Sequence, residues 1–172
     1  MNTLFPKLDF SQTIWIRISA DFKMNRDILE QILQPSLERI SLYGFPDENA
    51  NPALLVFQRC PKIKEIQIMF GEPVPILTKN ILKEMIKTKR KTKIKELIID
   101  PVSEVDQNDF ITLIDNQLAP NCYVSFSPQN AETFYPLKEM FSNMKEILQN
   151  EAKRVYIDIR LRSHSLYFKL IL

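Results

Sequence analysis

A short apolar pattern limits what this chain can fold into more than any other feature. The pattern is apolar-x-x-apolar-x-apolar, and it occurs three times at nearly regular distance. It reads Leu37-x-x-Ile40-x-Leu42, then Ile63-x-x-Ile66-x-Ile68, then Ile94-x-x-Leu97-x-Ile99. The last two apolar positions of each copy lie two residues apart, the period at which an extended chain returns to the same face. The same alternation, rich in Ile and Val, predicts six strands: Thr13 to Ser19, Leu37 to Tyr43, Ile63 to Met69, Ile94 to Asp100, a stretch from Asn121 and another from Arg154. Their central apolar residues stand at positions 16, 40, 66, 97, 124 and 157.

Between the strands the apolar period lengthens to that of a helix. Helices are predicted over Met24 to Leu33, Pro52 to Cys60, Pro75 to Lys89, Asp106 to Leu118 and Phe134 to Ala152. A strand and one helix cannot bury their apolar faces alone, but stacked units bury a continuous core. The expected fold is therefore α/β: about six strand–helix units forming a curved, mainly parallel sheet with helices on one side and right-handed crossovers. A flat α/β sandwich is the alternative, because the intervals between units are uneven. Residues 1–172 read as one domain, with 134–172 as a cap or partner-binding segment. The apolar end SLYFKLIL, Ser165 to Leu172, is expected to fold back as a last strand or to add to a partner's sheet edge, which would make an oligomer.

Composition excludes several chemistries. Glycine occurs only at Gly44 and Gly71, too few for a phosphate-cradling loop. His164 is the only histidine and has no motif around it that would orient a catalytic base. Cys60 and Cys122 are isolated in apolar surroundings and read as buried free thiols of a reducing compartment. Asp100, Glu104, Asp106 and Asp109 cluster where a strand meets a helix; helix capping accounts for Asp106 and Asp109 more simply than a divalent metal does. A metal-dependent enzyme built on Asp100 is the weakest reading. No catalytic residue, cofactor or metal is expected. No apolar run approaches the length of a membrane span, and the N-terminus lacks a secretory pattern, so an intracellular, cytoplasmic or nuclear protein is expected.

The segment CPKIKEIQI, Cys60 to Ile68, resembles the cysteine-containing leucine-rich repeat, in which a helix ends in Cys-Pro before the strand template. SLERISLYGF and KIKELIID resemble its neighbours, and the texture is similar to the repeat regions of divergent F-box proteins. In that family the repeats bind a protein substrate and a separate F-box recruits a ubiquitin ligase. The residues before the first strand are too few for an F-box, so the resemblance implies the binding role without the ligase role. The asparagine that follows the strand in typical repeats is absent here.

Two surfaces are candidates for function. Alternation directs Trp15, Arg17, Arg39, Tyr43, Glu65, Met69, Tyr123, Tyr156 and Arg160 to the open face of the sheet. Ser19, Ser41, Gln67, Glu96, Ile98, Asp100, Ser125 and Asp158 share that face. Trp, Tyr and Arg are the residue types that concentrate binding energy at interfaces, so a protein partner is the first expectation. The second surface is the basic run Lys87, Lys89, Arg90, Lys91, Lys93 and Lys95. These six residues lift a chain that is otherwise at −4 to its net +2. The run reads as a solvated connection after a helix end; a nuclear-import signal or nucleic-acid contact, and the binding of a phosphate or acidic partner, are the alternatives. It has no interleaved aromatics on which bases would stack.

Overall fold

The computed structural model describes residues 9–47, 50–71, 75–148, 155–161 and 166–171. The elements follow in the order β1 (Trp15–Met24), α1 (Arg26–Ile32), β2 (Arg39–Pro46), α2 (Pro52–Arg59), β3 (Glu65–Phe70), α3 (Lys79–Lys87), β4 (Ile94–Val102), α4 (Gln107–Gln117), β5 (Leu118–Pro128), α5 (Ala131–Leu148), β6 (Val155–Leu161) and β7 (Leu166–Ile171). All seven strands form one sheet in chain order. The first six run parallel, and β7 pairs antiparallel with β6. The fold is α/β. Each helix packs on the next along the series, α1 on α2 through α4 on α5.

The apolar template explains the register. Ile16, Ile40, Ile66, Leu97, Val124 and Ile157 pair successively across the sheet in a single row. Ile18, Leu42, Ile68, Ile99, Phe126 and Ile159 make a second row beside it. All the strand residues expected to point inward are buried, apart from Ile18, which is half-buried. Full burial of such a side chain stabilises the fold by about 1.5–3 kcal/mol. Slipping one strand by one residue would turn its whole apolar set to the wrong face. Under the later strands, Phe110 of α4, Phe126 of β5 and Phe141 of α5 meet with ring centroids 5.0–6.1 Å apart.

The junctions between units repeat as well. The carbonyl of Ile14 accepts the amides of Glu38 and Arg39, that of Glu38 accepts Lys64 and Glu65, and that of Lys64 accepts Lys95 and Glu96. These acceptors occupy the same template position in consecutive units. Tight turns lead into the first three strands, closed by Thr13 to Phe10, Leu37 to Gln34 and Ile63 to Cys60. In the second and third, proline (Pro35, Pro61) holds the position where its fixed φ suits the turn.

Helix starts are capped throughout. Asn25, Asn51, Thr78, Asp106 and Asn130 each accept a backbone amide three residues on, satisfying a donor the helix leaves open. These caps shift the expected helix starts: α1 begins at Arg26 rather than Met24 and α4 at Gln107 rather than Asp106. α3 begins at Lys79 rather than Pro75, because the preceding residues are tied to the end of β4: Ile76 donates to the Pro101 carbonyl and Leu77 bridges Val102. α5 begins at Ala131 rather than Phe134, because Asn130 starts it. The last unit follows one of the two expectations for it. β6 is followed by antiparallel β7 and not by a helix, so the apolar C-terminal segment does fold back as a last strand.

Gly44 marks a close approach that no other residue type tolerates. Its φ is +148°, and a Cβ there would stand 2.5 Å from the Ala20 carbonyl oxygen. Gly44→Ala should therefore destabilise the protein by about 1–3 kcal/mol, read as a lower urea midpoint with an unchanged slope. An unaltered midpoint would contradict the geometry.

Candidate functional site

The open face of the sheet is built from three lateral rows. The first is Trp15, Arg39, Glu65, Glu96, Tyr123 and Tyr156; the second is Arg17, Ser41, Gln67, Ile98, Ser125 and Asp158. Ser19, Tyr43, Met69 and Asp100 form the third. The expected site residues thus share one surface, spread over β1 to β6.

Its β1–β3 end is apolar and cationic. Trp15 is 59% exposed, a large apolar area to leave in water. The Arg17 guanidinium lies over the Tyr43 ring, 5.3 Å from its centre. Arg39 pairs with Glu65 at 3.3 Å. Gln67 organises the middle. Its Oε1 accepts from Ser41 Oγ and Tyr43 OH, both at 3.1 Å, and its Nε2 donates to Glu96 at 2.5 Å. That amide holds Tyr43 and Ser41 from one side and Glu96 from the other.

The β4–β6 part departs from expectation. Asp100, Ser125 and Asp158, all placed on the open face by alternation, are buried there. Asp158 is closed over by two neighbours: Tyr123 OH donates to its Oδ2 at 2.7 Å, and Arg160 donates through Nε and Nη2 at 3.1 and 2.7 Å. Burial, then the bond to Asp158, raises the Tyr123 pKa. The arrangement fixes a tyrosine and an arginine in place around one buried carboxylate. Period-two alternation gives the side of the sheet but not its cover, so the burial of Asp158 had no signal in the sequence.

The basic run is not uniformly solvated, and this corrects the simplest reading of it. Arg90 is turned inward. Its Nη2 donates to the Ile63 carbonyl at 2.6 Å and lies 3.5 Å from that of Cys60, while its guanidinium lies 5.1 Å from the centre of the Phe57 ring. Burial pulls its pKa down to about 10. Lys93 Nζ donates to the Asp115 and Asn116 carbonyls at the end of α4, at 2.9 and 2.5 Å. Lys87 pairs with Glu84 at 2.6 Å. In return, buried Gln117 donates to the Met85 and Thr88 carbonyls at the end of α3. Helix C-termini carry unsatisfied carbonyls and negative dipole ends, and these side chains answer both. Lys89, Lys91 and Lys95 remain exposed.

The acidic cluster is divided. Asp106 caps α4 and pairs with Lys79 at 3.3 Å, and the amide of Asp109 holds its carboxyl below the usual range. Asp100 lies in the sheet. Among the described residues no three His, Cys, Asp or Glu side chains gather as metal ligands, and no helix is long and apolar enough to cross a membrane. His164 lies outside the described residues. Compared with known protein families, curated proteins and solved structures, the chain matches none.

Two outcomes follow from this geometry. Arg90→Ala should cost about 2–3 kcal/mol in urea unfolding, through the lost charged hydrogen bond and ring contact, whereas Lys89→Ala should stay within about 0.5 kcal/mol. Equal effects would return Arg90 to the solvated class. Burial also pushes the Cys60 and Cys122 thiols up to about 12, so neither forms a thiolate at pH 8. An aromatic disulfide reagent at that pH should label neither in the folded protein and both in urea; prompt labelling without urea would contradict their burial.

Proposed function

We propose that this protein is a non-enzymatic interaction module, a scaffold or adaptor of leucine-rich-repeat-like build, that binds a protein partner through the open face of its sheet. The observation that carries the reading is Trp15. It is the chain's only tryptophan, and it stands 59% exposed beside Arg17 on a face whose reverse side is all core. Exposed aromatic and arginine side chains in one patch are the composition of an interface centre. The hydrogen bonds through Gln67 and Asp158 support the reading further, because they hold Tyr43, Tyr123 and Arg160 in fixed positions.

On this reading Trp15 and Arg17 with Tyr43 form the anchor, Arg39, Glu65 and Met69 the polar and apolar middle, and Tyr123, Tyr156 and Arg160 a second anchor. A nucleic-acid partner held by the basic run is the competing reading. Affinity capture with and without nuclease treatment separates the two, since a protein partner survives the nuclease. Trp15→Ala and Tyr43→Ala should each weaken capture of that partner tenfold or more while thermal unfolding stays cooperative. Unchanged affinity in both variants would remove the open face from the interaction.

A further inference from the structure

We propose that the basin between the C-terminal ends of α3 and α4 is a second docking site, independent of the open face, and that its occupant is a short acidic segment of a protein. The basin encloses about 490 Å³ and is ringed by Lys87, Lys89, Lys91 and Lys93, with Thr88 and Thr92 among them. It sits where helices end and strands begin, on the rim of the sheet.

Its cations are not all committed to the fold. Lys87 pairs with Glu84, and Lys93 holds the end of α4. Among the described residues, Lys89 and Lys91 have neither an ion-pair partner nor a side-chain hydrogen bond, and both are exposed. Positive charge therefore exceeds what capping the helix ends requires. The surplus collects at one concave spot.

The chemistry of the ring selects the occupant. The threonine hydroxyls are already spent on the Met85 and Ile63 carbonyls. The only guanidinium, that of Arg90, faces the Ile63 carbonyl and Phe57, so no bidentate fork is offered to a phosphate. No aromatic lines the basin for a base to stack on. What remains is ammonium groups on flexible stems, which read charge and little else. Length decides between the polyanions that charge alone would admit. A nucleic acid longer than the basin needs further cations beyond this run, and outside the run the chain's acidic residues outnumber its basic ones by four. A segment of a few carboxylates stays within about one Debye length of the lysines, roughly 8–10 Å, and so within reach of their charge.

The test uses the full chain and two labelled probes, a tetraglutamate peptide and a single-stranded oligonucleotide of equal charge, followed by fluorescence anisotropy from about 0.1 M salt upward. The peptide should bind, weaken as salt rises, and lose roughly tenfold affinity with the double substitution Lys89→Gln and Lys91→Gln, the sum expected of two exposed ion pairs. Thermal unfolding of that variant should match the parent protein, which separates a lost contact from a lost fold. Absence of peptide binding, or equal binding by parent and variant, overturns the site. Tighter binding of the oligonucleotide than of the peptide overturns the choice of occupant. A variant at Trp15 should leave peptide binding unchanged.

Discussion

The structure depends on how one unit is locked to the next. At three successive junctions a single carbonyl at a fixed template position, that of Ile14, Glu38 or Lys64, receives two amides from the following unit. This contact sets where each new strand starts relative to the one before. Once the start is set, pairing carries the template residues into line, and the apolar rows through Ile40 and Leu42 follow without further instruction. Uneven spacing between units is absorbed by helix and loop length, which is why the interval can vary while the rows stay straight.

A second set of contacts ties the helix layer together at its C-terminal ends. Arg90 reaches back to the Cys60 cap of α2 and the Ile63 carbonyl beyond it, Gln117 reaches back to α3, and Lys93 reaches forward to α4. Each supplies donors to carbonyls that a helix cannot satisfy itself. The basic run is thus two things at once. Part of it is internal hardware that closes the helix ends, and part is charge left at the surface of a basin. The open face on the far side is organised by the same economy of donors, with Gln67 and Asp158 each serving several neighbours.

Much of this was legible in the residues. Alternation over Ile63–Ile68 and its copies gave the strands, the buried rows and the side on which Trp15 and Tyr43 lie, because a period of two is a direct consequence of strand geometry. The acidic first turn of α4 also announced its cap at Asp106. Other features lay beyond local pattern. An arginine flanked by lysines looks solvated until a distant carbonyl and Phe57 enclose it, and that contact joins residues about thirty apart in the chain. Asp158 is buried by Tyr123 and Arg160, whose reach depends on the neighbouring strand. Asn25, Asn51 and Asn130 had the right type to cap helices, and the signal was available in the residue just ahead of each apolar period. The antiparallel turn of β7 follows from there being no further helix to cross over, which strand alternation alone does not reveal.

Two neighbouring strands offer the most direct check on whether the template sets the fold. Ile66 sits in the buried row of β3, and Ser41 sits on the open face of β2 beside Arg17. Urea unfolding of Ile66→Asp and Ser41→Asp, followed by circular dichroism and by Trp15 fluorescence, compares one charge placed on each side of the sheet. The account predicts that Ile66→Asp abolishes the cooperative transition in both signals, because an unpaired carboxylate cannot be buried there, while Ser41→Asp keeps it. A soluble Ile66→Asp protein that unfolds cooperatively at the parent midpoint would contradict the account.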